Sequence, residues 1–286
     1  MSNFMSSDRF YFSPEMLSLI NEYSDSILVI KYGGSAMKDP AVKLNVIQDL
    51  CLLHVLGIKV VLVHGGGYLI DKWLLKLNIK PKFENGLRVT DLETMRVAEM
   101  VLTGQINQEI VYLLNQHYVS SVGLSGKDAS LVKALPLFNS NDNFTGKISS
   151  VNTDILLTLL SNNFFPVVSS VAADSNGNTY NINADTLASS IASSLKASKL
   201  LLLTDTPGVL ENLNDHSSLI KNLNLQKISE LRSKNLITGG MIPKIECAVA
   251  ALNDGVKSVH IVDGSLPHSL LYELLTCNRS GSMLVL

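Results

Sequence analysis

Three features of this 286-residue chain predict an α/β fold, a mostly parallel sheet covered on both faces by helices. Continuous apolar runs of strand character recur at Ile27–Tyr32, Lys59–His64, 199–203 and 258–262. Helical apolar periods stand between them, and the first two runs end in glycine clusters, Gly33-Gly34 and Gly65-Gly66-Gly67. A strand that is apolar throughout, rather than at alternate positions, is buried on both faces, as in parallel sheets between helices. The pattern allows one sheet or two adjoining ones.

The elements follow in order. Ser13 is placed to cap a helix whose first position is Pro14, where a missing N–H costs nothing. Met16, Leu19, Ile20 and Tyr23 form its single apolar stripe, able to pad the core or to meet another subunit. After the strand at 27–32, Val42, Val46, Ile47, Leu50 and Leu53 mark a helix, and another helix follows the second glycine cluster from Tyr68. Thr90-Asp91-Leu92-Glu93 reads as a capping box, so a long helix is expected from Asp91 to about His117, interrupted at Gly104. A strand at 119–124, a hairpin within 131–150 turning at 139–146, a helix from Asp154 and a strand at 165–168 complete the first part. Beyond about 175 the theme repeats. Helices are expected at 184–197, 226–236, 245–253 and 266–276, with strands at 199–203, 258–262 and 282–286.

Composition narrows the function. Apolar residues make up 46% and charged residues 17%, enough core material to exclude a disordered or fibrous chain. The net charge of −2 comes without a basic patch, which argues against nucleic acid. The longest apolar stretch, 51–63, is broken by His54, Gly57 and Lys59 and is too short to span a membrane. The opening MSNFMSSDRFYFSPEM lacks the pattern of a secretory or transit signal. Cys51, Cys247 and Cys277 are scattered without metal-ligand spacing, which points to a reducing compartment and to core roles for Cys51 and Cys247.

Glycines at the C-terminal ends of strands let backbone approach a ligand closely, and the following N–H groups can cradle an anion. Neither cluster has GxGxxG spacing, and GxxxxGK[ST] is absent from the sequence, so dinucleotide and P-loop enzymes lose ground. Lys31 emerges from an apolar strand just before its glycines, where an ammonium could neutralise a transferring phosphoryl group; a solvated lysine is the plainer alternative. Lys244, in TGGMIPK (238–244), sits where a helix N-terminus is already positive, and an anionic ligand would explain it. In Asn181-Ile182-Asn183-Ala184-Asp185, Asn183 or Asp185 could be a helix cap, or Asp185 could stand between two lysines and orient both. Arg88, in a turn, suits bidentate binding of a carboxylate.

The ordered set IKYGGSAM (30–37), VLVHGGG (61–67), NGLRVT (85–90), NINADTLA (181–188), LLLTDTPGVL (201–210) and TGGMIPK (238–244) resembles the amino-acid kinase family. Within it the match is to the branch that phosphorylates N-acetyl-L-glutamate. The resemblance implies a three-layer αβα sandwich and transfer of the ATP γ-phosphoryl to the side-chain carboxylate, giving an acyl phosphate in arginine biosynthesis. It implies catalytic roles for Lys31 and Lys244 and an orienting role for Asp185. Backbone N–H groups of Gly33, Gly34 and Gly66 would face the phosphoryl, and Gly66, Gly67, Arg88 and Asn181 would hold acetylglutamate. ATP would lie on Thr204, Asp205, Gly208 and Lys244, with Mg²⁺ carried by the nucleotide and no protein metal site. A carboxylate is already ionised at neutral pH, so a strong general base is unnecessary. The barrier is charge against charge.

The same resemblance implies an N-terminal extension with an oligomerisation helix (1–25), an acetylglutamate lobe (26–175) and an ATP lobe (176–286). The helix resembles that of arginine-inhibited hexamers built as trimers of dimers. Tyr23, Glu273, Arg279 and Gly281 would form the arginine site, although a glycine is expected where Arg279 stands. Some members bind the PII signalling protein, which no motif here supports. The compartment implied is a bacterial cytoplasm or a plastid stroma. Glutamate, aspartate or uridylate kinases of the same fold are the nearest rivals. A non-catalytic arginine- or PII-responsive protein is the rival of another class.

Overall fold

The computed structural model describes residues 13–286 except 25, 85, 141, 213 and 214. The polar lead before Ser13 and Asn85, first residue of the NGLRVT motif, therefore lie outside the described residues.

The first part runs α1 (Pro14–Tyr23), β1 (Ile27–Tyr32), α2 (Pro40–Val55), β2 (Lys59–His64), α3 (Gly67–Lys76), β3 (Lys82–Glu84), β4 (Leu87–Val89) and α4 (Leu92–Glu99). A π-helical stretch, Met100–Ile106, joins α4 to α5 (Asn107–Gln116). Then come β5 (Ser121–Ser125), β6 (Val132–Pro136), β7 (Thr145–Val151), α6 (Asp154–Ser161), β8 (Phe165–Ser169) and β9 (Val171–Ala173). The second part holds β10 (Thr179–Ile182), α7 (Ala184–Ser194), β11 (Lys199–Thr204), β12 (Asn222–Leu223), α8 (Leu225–Ser233), α9 (Met241–Asn253), β13 (Ser258–Asp263), α10 (Ser269–Leu275) and β14 (Ser282–Leu284).

One eight-stranded sheet, in the order β12-β14-β13-β11-β1-β2-β8-β5, runs through both parts. All neighbours are parallel except β13 with β14. Of the one sheet or two that the sequence allowed, the structure has a single continuous main sheet. Its core strands β1, β2, β11 and β13 are buried almost end to end, and an apolar cluster lies on each face. The order changes direction at β1, whose neighbours are β2 on one side and β11 on the other. Ligands of open α/β sheets bind outside the C-terminal strand ends at such a point.

A second unit was foreseen only in its hairpin, β6 with β7, which pair antiparallel as expected within 131–150. Strands β10, β7, β6 and β9 close into a small barrel beside the sheet, and β3 pairs with β4 in a separate hairpin. The position near 175, where the sequence changes character, falls between β9 and β10, which pair antiparallel.

Local differences have simple causes. Asp91, not Thr90, caps α4 by accepting the Thr94 N–H at 2.8 Å. Thr90 is drawn instead toward Arg88, whose carbonyl accepts its hydroxyl proton at 3.1 Å. The strand expected at 119–124 begins at Ser121, because Tyr118 turns the chain with φ 63°. The helix expected at 184–197 ends at Ser194, and Lys196 leaves it with φ 49°. Helix α9 starts at Met241, earlier than expected, which puts Lys244 within its first turns. The α1 stripe packs on its own chain: Tyr23 is buried, and Met16, Leu19 and Ile20 lie against the core.

Candidate active site

Lys31 leaves β1 and Lys244 leaves α9, and both ammonium groups reach Asp185 on α7. Lys31 Nζ lies 2.9 Å from Oδ1 and Lys244 Nζ 2.8 Å from Oδ2, all three side chains being at most 13% exposed. The Lys244 contact is aligned as a hydrogen bond, whereas the Lys31 contact is an ion pair without that alignment. The cap of α7 is Asn183, whose side chain accepts the N–H groups of Asp185 and Thr186 at 2.9 and 3.0 Å. Capping is thereby satisfied two residues before Asp185, whose carboxylate is released for the lysines.

Burial alone would raise the Asp185 pKa; Lys31 first and Lys244 second override it and bring it down to about 2. Burial pushes the Lys31 ammonium down, Asp185 pulls it back up, and Lys244 adds to the depression. Two cations sharing one buried anion leave a surplus of positive charge, which a second anion would neutralise.

Two cavities flank this triad, Lys31 lining one and Lys244 the other. The smaller, of about 220 Å³, is lined by Lys31, Gly33, Gly34, Gly66, Gly67, Arg88 and Asn181 among others. The larger, of about 440 Å³, is lined by Thr204, Asp205, Gly208, Gly240, Met241 and Lys244 among others. The sequence-derived residues thus separate into two groups, one in each cavity, with Asp185 bridging the two lysines.

The glycines have steric reasons. A Cβ on Gly33 would lie 2.9 Å from Lys31 Nζ, so the missing side chain makes room for the ammonium. A Cβ on Gly66 would lie 2.1 Å from Ile106 Cδ1, so only glycine lets the π-helical stretch press against this loop.

Arg88 is buried on β4. Its Nη1 pairs with Asp71 at 2.7 Å, its Nη2 donates to the Gly67 carbonyl at 3.3 Å, and its guanidinium lies 4.8 Å from the Phe83 ring centroid. Asn181 Nδ2 donates to Thr90 Oγ1 at 3.2 Å. Sequence reasoning missed Phe83, Thr145 and Ser170 in the smaller cavity and Thr238 in the larger, and gave Asn183, which also lines the smaller cavity, as a helix cap alone. Thr145 and Ser170 carry no local motif and arrive through the unforeseen barrel and the end of β8.

The residues expected to bind arginine lie elsewhere. Tyr23, Glu273 and Arg279 line a third cavity of about 260 Å³ together with Lys199 and His260. Gly281 stands behind them, its N–H donating to Glu273 Oε2 at 2.8 Å.

Residues 26–263 match the model of the amino acid kinase family. This chain belongs to that family. Among its relatives in the amino acid kinase family, the acetylglutamate kinase of Gracilaria tenuistipitata var. liui is 53% identical over 273 residues, 95% of this chain and 96% of that protein. That of Trichodesmium erythraeum is 50% identical over 95% of this chain and 93% of that protein. Among solved structures, the N-acetylglutamate synthase of Neisseria gonorrhoeae superposes with a TM-score of 0.83 at 27% identity. The match covers 95% of this chain but only 62% of the synthase, a longer protein. Giardia lamblia carbamate kinase, at 17% identity and TM-score 0.66 over 92% of this chain and 99% of its own, shares the fold.

Proposed function

We propose that this chain transfers the γ-phosphoryl group of ATP to the side-chain carboxylate of N-acetyl-L-glutamate, an activation step of arginine biosynthesis. The observation that carries the proposal is the Lys31–Asp185–Lys244 triad, whose two lysines line different cavities and meet on one carboxylate. Relatives named acetylglutamate kinase, about half identical over nearly the whole chain, support the choice of acceptor.

Acetylglutamate would occupy the smaller cavity, with Arg88 and Asn181 on its polar groups and its side-chain carboxylate toward Lys31. ATP would lie in the larger cavity on the turn 204–208, its triphosphate entering past Lys244. A carboxylate oxygen attacks the γ-phosphorus, the bond to the β,γ-bridging oxygen breaks, and ADP leaves with that oxygen. Charge rises where anion meets anion, and the two ammonium groups with the Gly33, Gly34 and Gly66 N–H groups oppose it. Asp185 keeps the lysines from repelling each other out of position.

Among the described residues no cluster of three or more His, Cys, Asp or Glu side chains could hold a metal ion. Mg²⁺ would be held by triphosphate oxygens and water, with Asp205 the carboxylate lining the nucleotide cavity. Mg²⁺ would supply charge neutralisation at the β and γ phosphates.

Hydroxylamine trapping of the acyl phosphate from acetylglutamate and MgATP tests the proposal. Trapped product with acetylglutamate, and little with glutamate or aspartate, is expected. Preference for either of those, or for uridylate in an ADP-release assay, would overturn the acceptor, and absence of turnover would overturn catalysis. We also infer a ring of three dimers linked through α1, whose Leu17 is 50% exposed. Light scattering that finds a dimer would remove it. No helix among the described residues is long and apolar enough to cross a membrane. Relatives from red algae and cyanobacteria support a plastid stroma or a bacterial cytoplasm as the place of action.

A further inference from the structure

His64 ends β2 directly before the glycine loop and is completely buried. Its Nδ1 lies 3.1 Å from the Gly65 carbonyl oxygen, which can only accept, so the proton is on Nδ1. Its Nε2 is then bare and accepts from Asn107 Nδ2 at 3.0 Å. The Asn107 amide cannot be turned round, because the same Nδ2 donates to the Val167 carbonyl at 2.9 Å. A Cβ on Gly123 would lie 2.0 Å from Asn107 Oδ1, so β5 also yields space to this amide. Burial lowers the His64 pKa to about 4, and the hydrogen bond with the Gly65 carbonyl opposes that only in part, so the ring is neutral at physiological pH.

The chain of donors therefore runs from Asn107, the first residue after the π-helical stretch, through His64 to the peptide carbonyl of Gly65. In a planar trans peptide the carbonyl of Gly65 and the N–H of Gly66 point in opposite directions. Holding the carbonyl toward the buried histidine turns the Gly66 N–H away from it, on the side where Gly66 lines the smaller cavity. Ile106, one residue before Asn107, presses on Gly66 itself. Ile106, which ends the π-helical stretch, and Asn107, which follows it, thus reach Gly66 and the histidine that holds the Gly65 carbonyl.

We propose that His64 is a positioning residue for phosphoryl transfer: its Nδ1–H, held in register by Asn107, sets the Gly65–Gly66 peptide so that the Gly66 N–H faces the transferring group. The assignment rests on the phosphotransfer function proposed above, but the tautomer and the clamp do not.

Three variants of the full chain separate the two hydrogen bonds. Asparagine can replace Nδ1 as donor to Gly65 but loses the Asn107 contact. Glutamine can replace Nε2 as acceptor but loses the donor to Gly65, and leucine loses both. His64→Gln and His64→Leu are expected to lower kcat about ten-fold or more, with each KM changed less than about two-fold. His64→Asn is expected to recover most of kcat even if it melts no higher than His64→Gln. Unchanged kcat in His64→Gln, or losses that follow melting temperature rather than the Nδ1 donor, would overturn the proposal. Nitrogen NMR of the wild-type imidazole is the readout that needs no turnover. A proton on Nδ1 is expected, and one on Nε2 would overturn the clamp. Wild type inactive with acetylglutamate but carrying the Nδ1 proton would remove the functional proposal, and with it the catalytic role of His64, while leaving the clamp standing.

Discussion

Lys244 Nζ donates to Asp185 Oδ2 at 2.8 Å, although α9 and α7 are separated in the chain by two strands and a helix. Lys31, from β1, approaches the other oxygen of the same carboxylate at 2.9 Å. Because each lysine lines a different cavity, their truncations should differ in kind. Lys244→Ala is expected to raise the KM for ATP and lower kcat. Lys31→Ala should lower kcat about 10²–10³-fold with a smaller effect on ATP binding. Steady-state kinetics with each substrate varied in turn checks this, and equal profiles for the two variants would contradict the assignment to separate cavities.

Asp185→Asn removes the carboxylate that both lysines touch. An uncompensated buried cation pair costs about 3–5 kcal/mol, so a fall in denaturation midpoint is expected together with loss of kcat. The pH dependence has a definite sign. The Asp185 pKa in the fold, about 2, is below the ordinary 3.8. Its charged form therefore favours the folded state above about pH 4, and the contribution drains away as pH falls toward 2. The stability gap between wild type and Asp185→Asn, measured by urea unfolding, should narrow below about pH 4. A gap that widens on acidification would show that the carboxylate is not held charged.

Much of this was legible in the sequence, for physical reasons. Strands β1, β2, β11 and β13 are apolar throughout because helices cover both sides, and such runs are visible without a partner. The cap at Asn183 and the proline at position 14 announce their helices by chemistry that acts within a few residues. The barrel of β6, β7, β9 and β10 was only half visible. Its β9 has three residues and its β10 four, too few for a period to emerge, and Gly146 is there because Tyr180 leaves no room for a Cβ. The π-helical stretch was marked by Gly104 but misread as an interruption, because extra turn width leaves no mark on apolar periodicity. Asp71 as partner of Arg88 was equally hidden, since the pairing depends on how α3 packs beside β4.

Gly66→Ala should be severe for a reason unrelated to backbone freedom. The added methyl would meet Ile106 Cδ1 at 2.1 Å and Leu102 Cδ2 at 3.0 Å. Overpacking of this kind costs about 1–3 kcal/mol, and relief would move the loop that lines the smaller cavity. Ile106→Ala in the same chain removes the closest atom and is expected to restore part of both kcat and melting temperature. No restoration would mean that the clash is not the cause.

Arg88→Lys keeps the charge but loses the planar fork. Lysine cannot donate at once to Asp71, to the Gly67 carbonyl and to a bound carboxylate in one plane. The expected result is a rise of about ten-fold or more in the KM for acetylglutamate, with the KM for ATP nearly unchanged. A rise confined to ATP would place Arg88 on the wrong substrate.

The arginine site we propose is the cavity between α1 and α10. Glu273 is buried there with Oε1 2.6 Å from His260 Nδ1 and Oε2 accepting the N–H groups of Ser280 and Gly281 at 2.9 and 2.8 Å. Lys199 and Arg279 also line the cavity, so a cationic effector meets one buried carboxylate and two cations. Like charge at the entrance weakens binding of such an effector. Arg279→Gly should therefore lower the arginine concentration that gives half inhibition. Glu273→Gln should raise it about ten-fold or more, and neither change should alter kcat without arginine, because neither residue lines the two active-site cavities. Inhibition curves for the three proteins decide the matter. If wild type is insensitive to millimolar arginine and Arg279→Gly remains so, this cavity is not an arginine site.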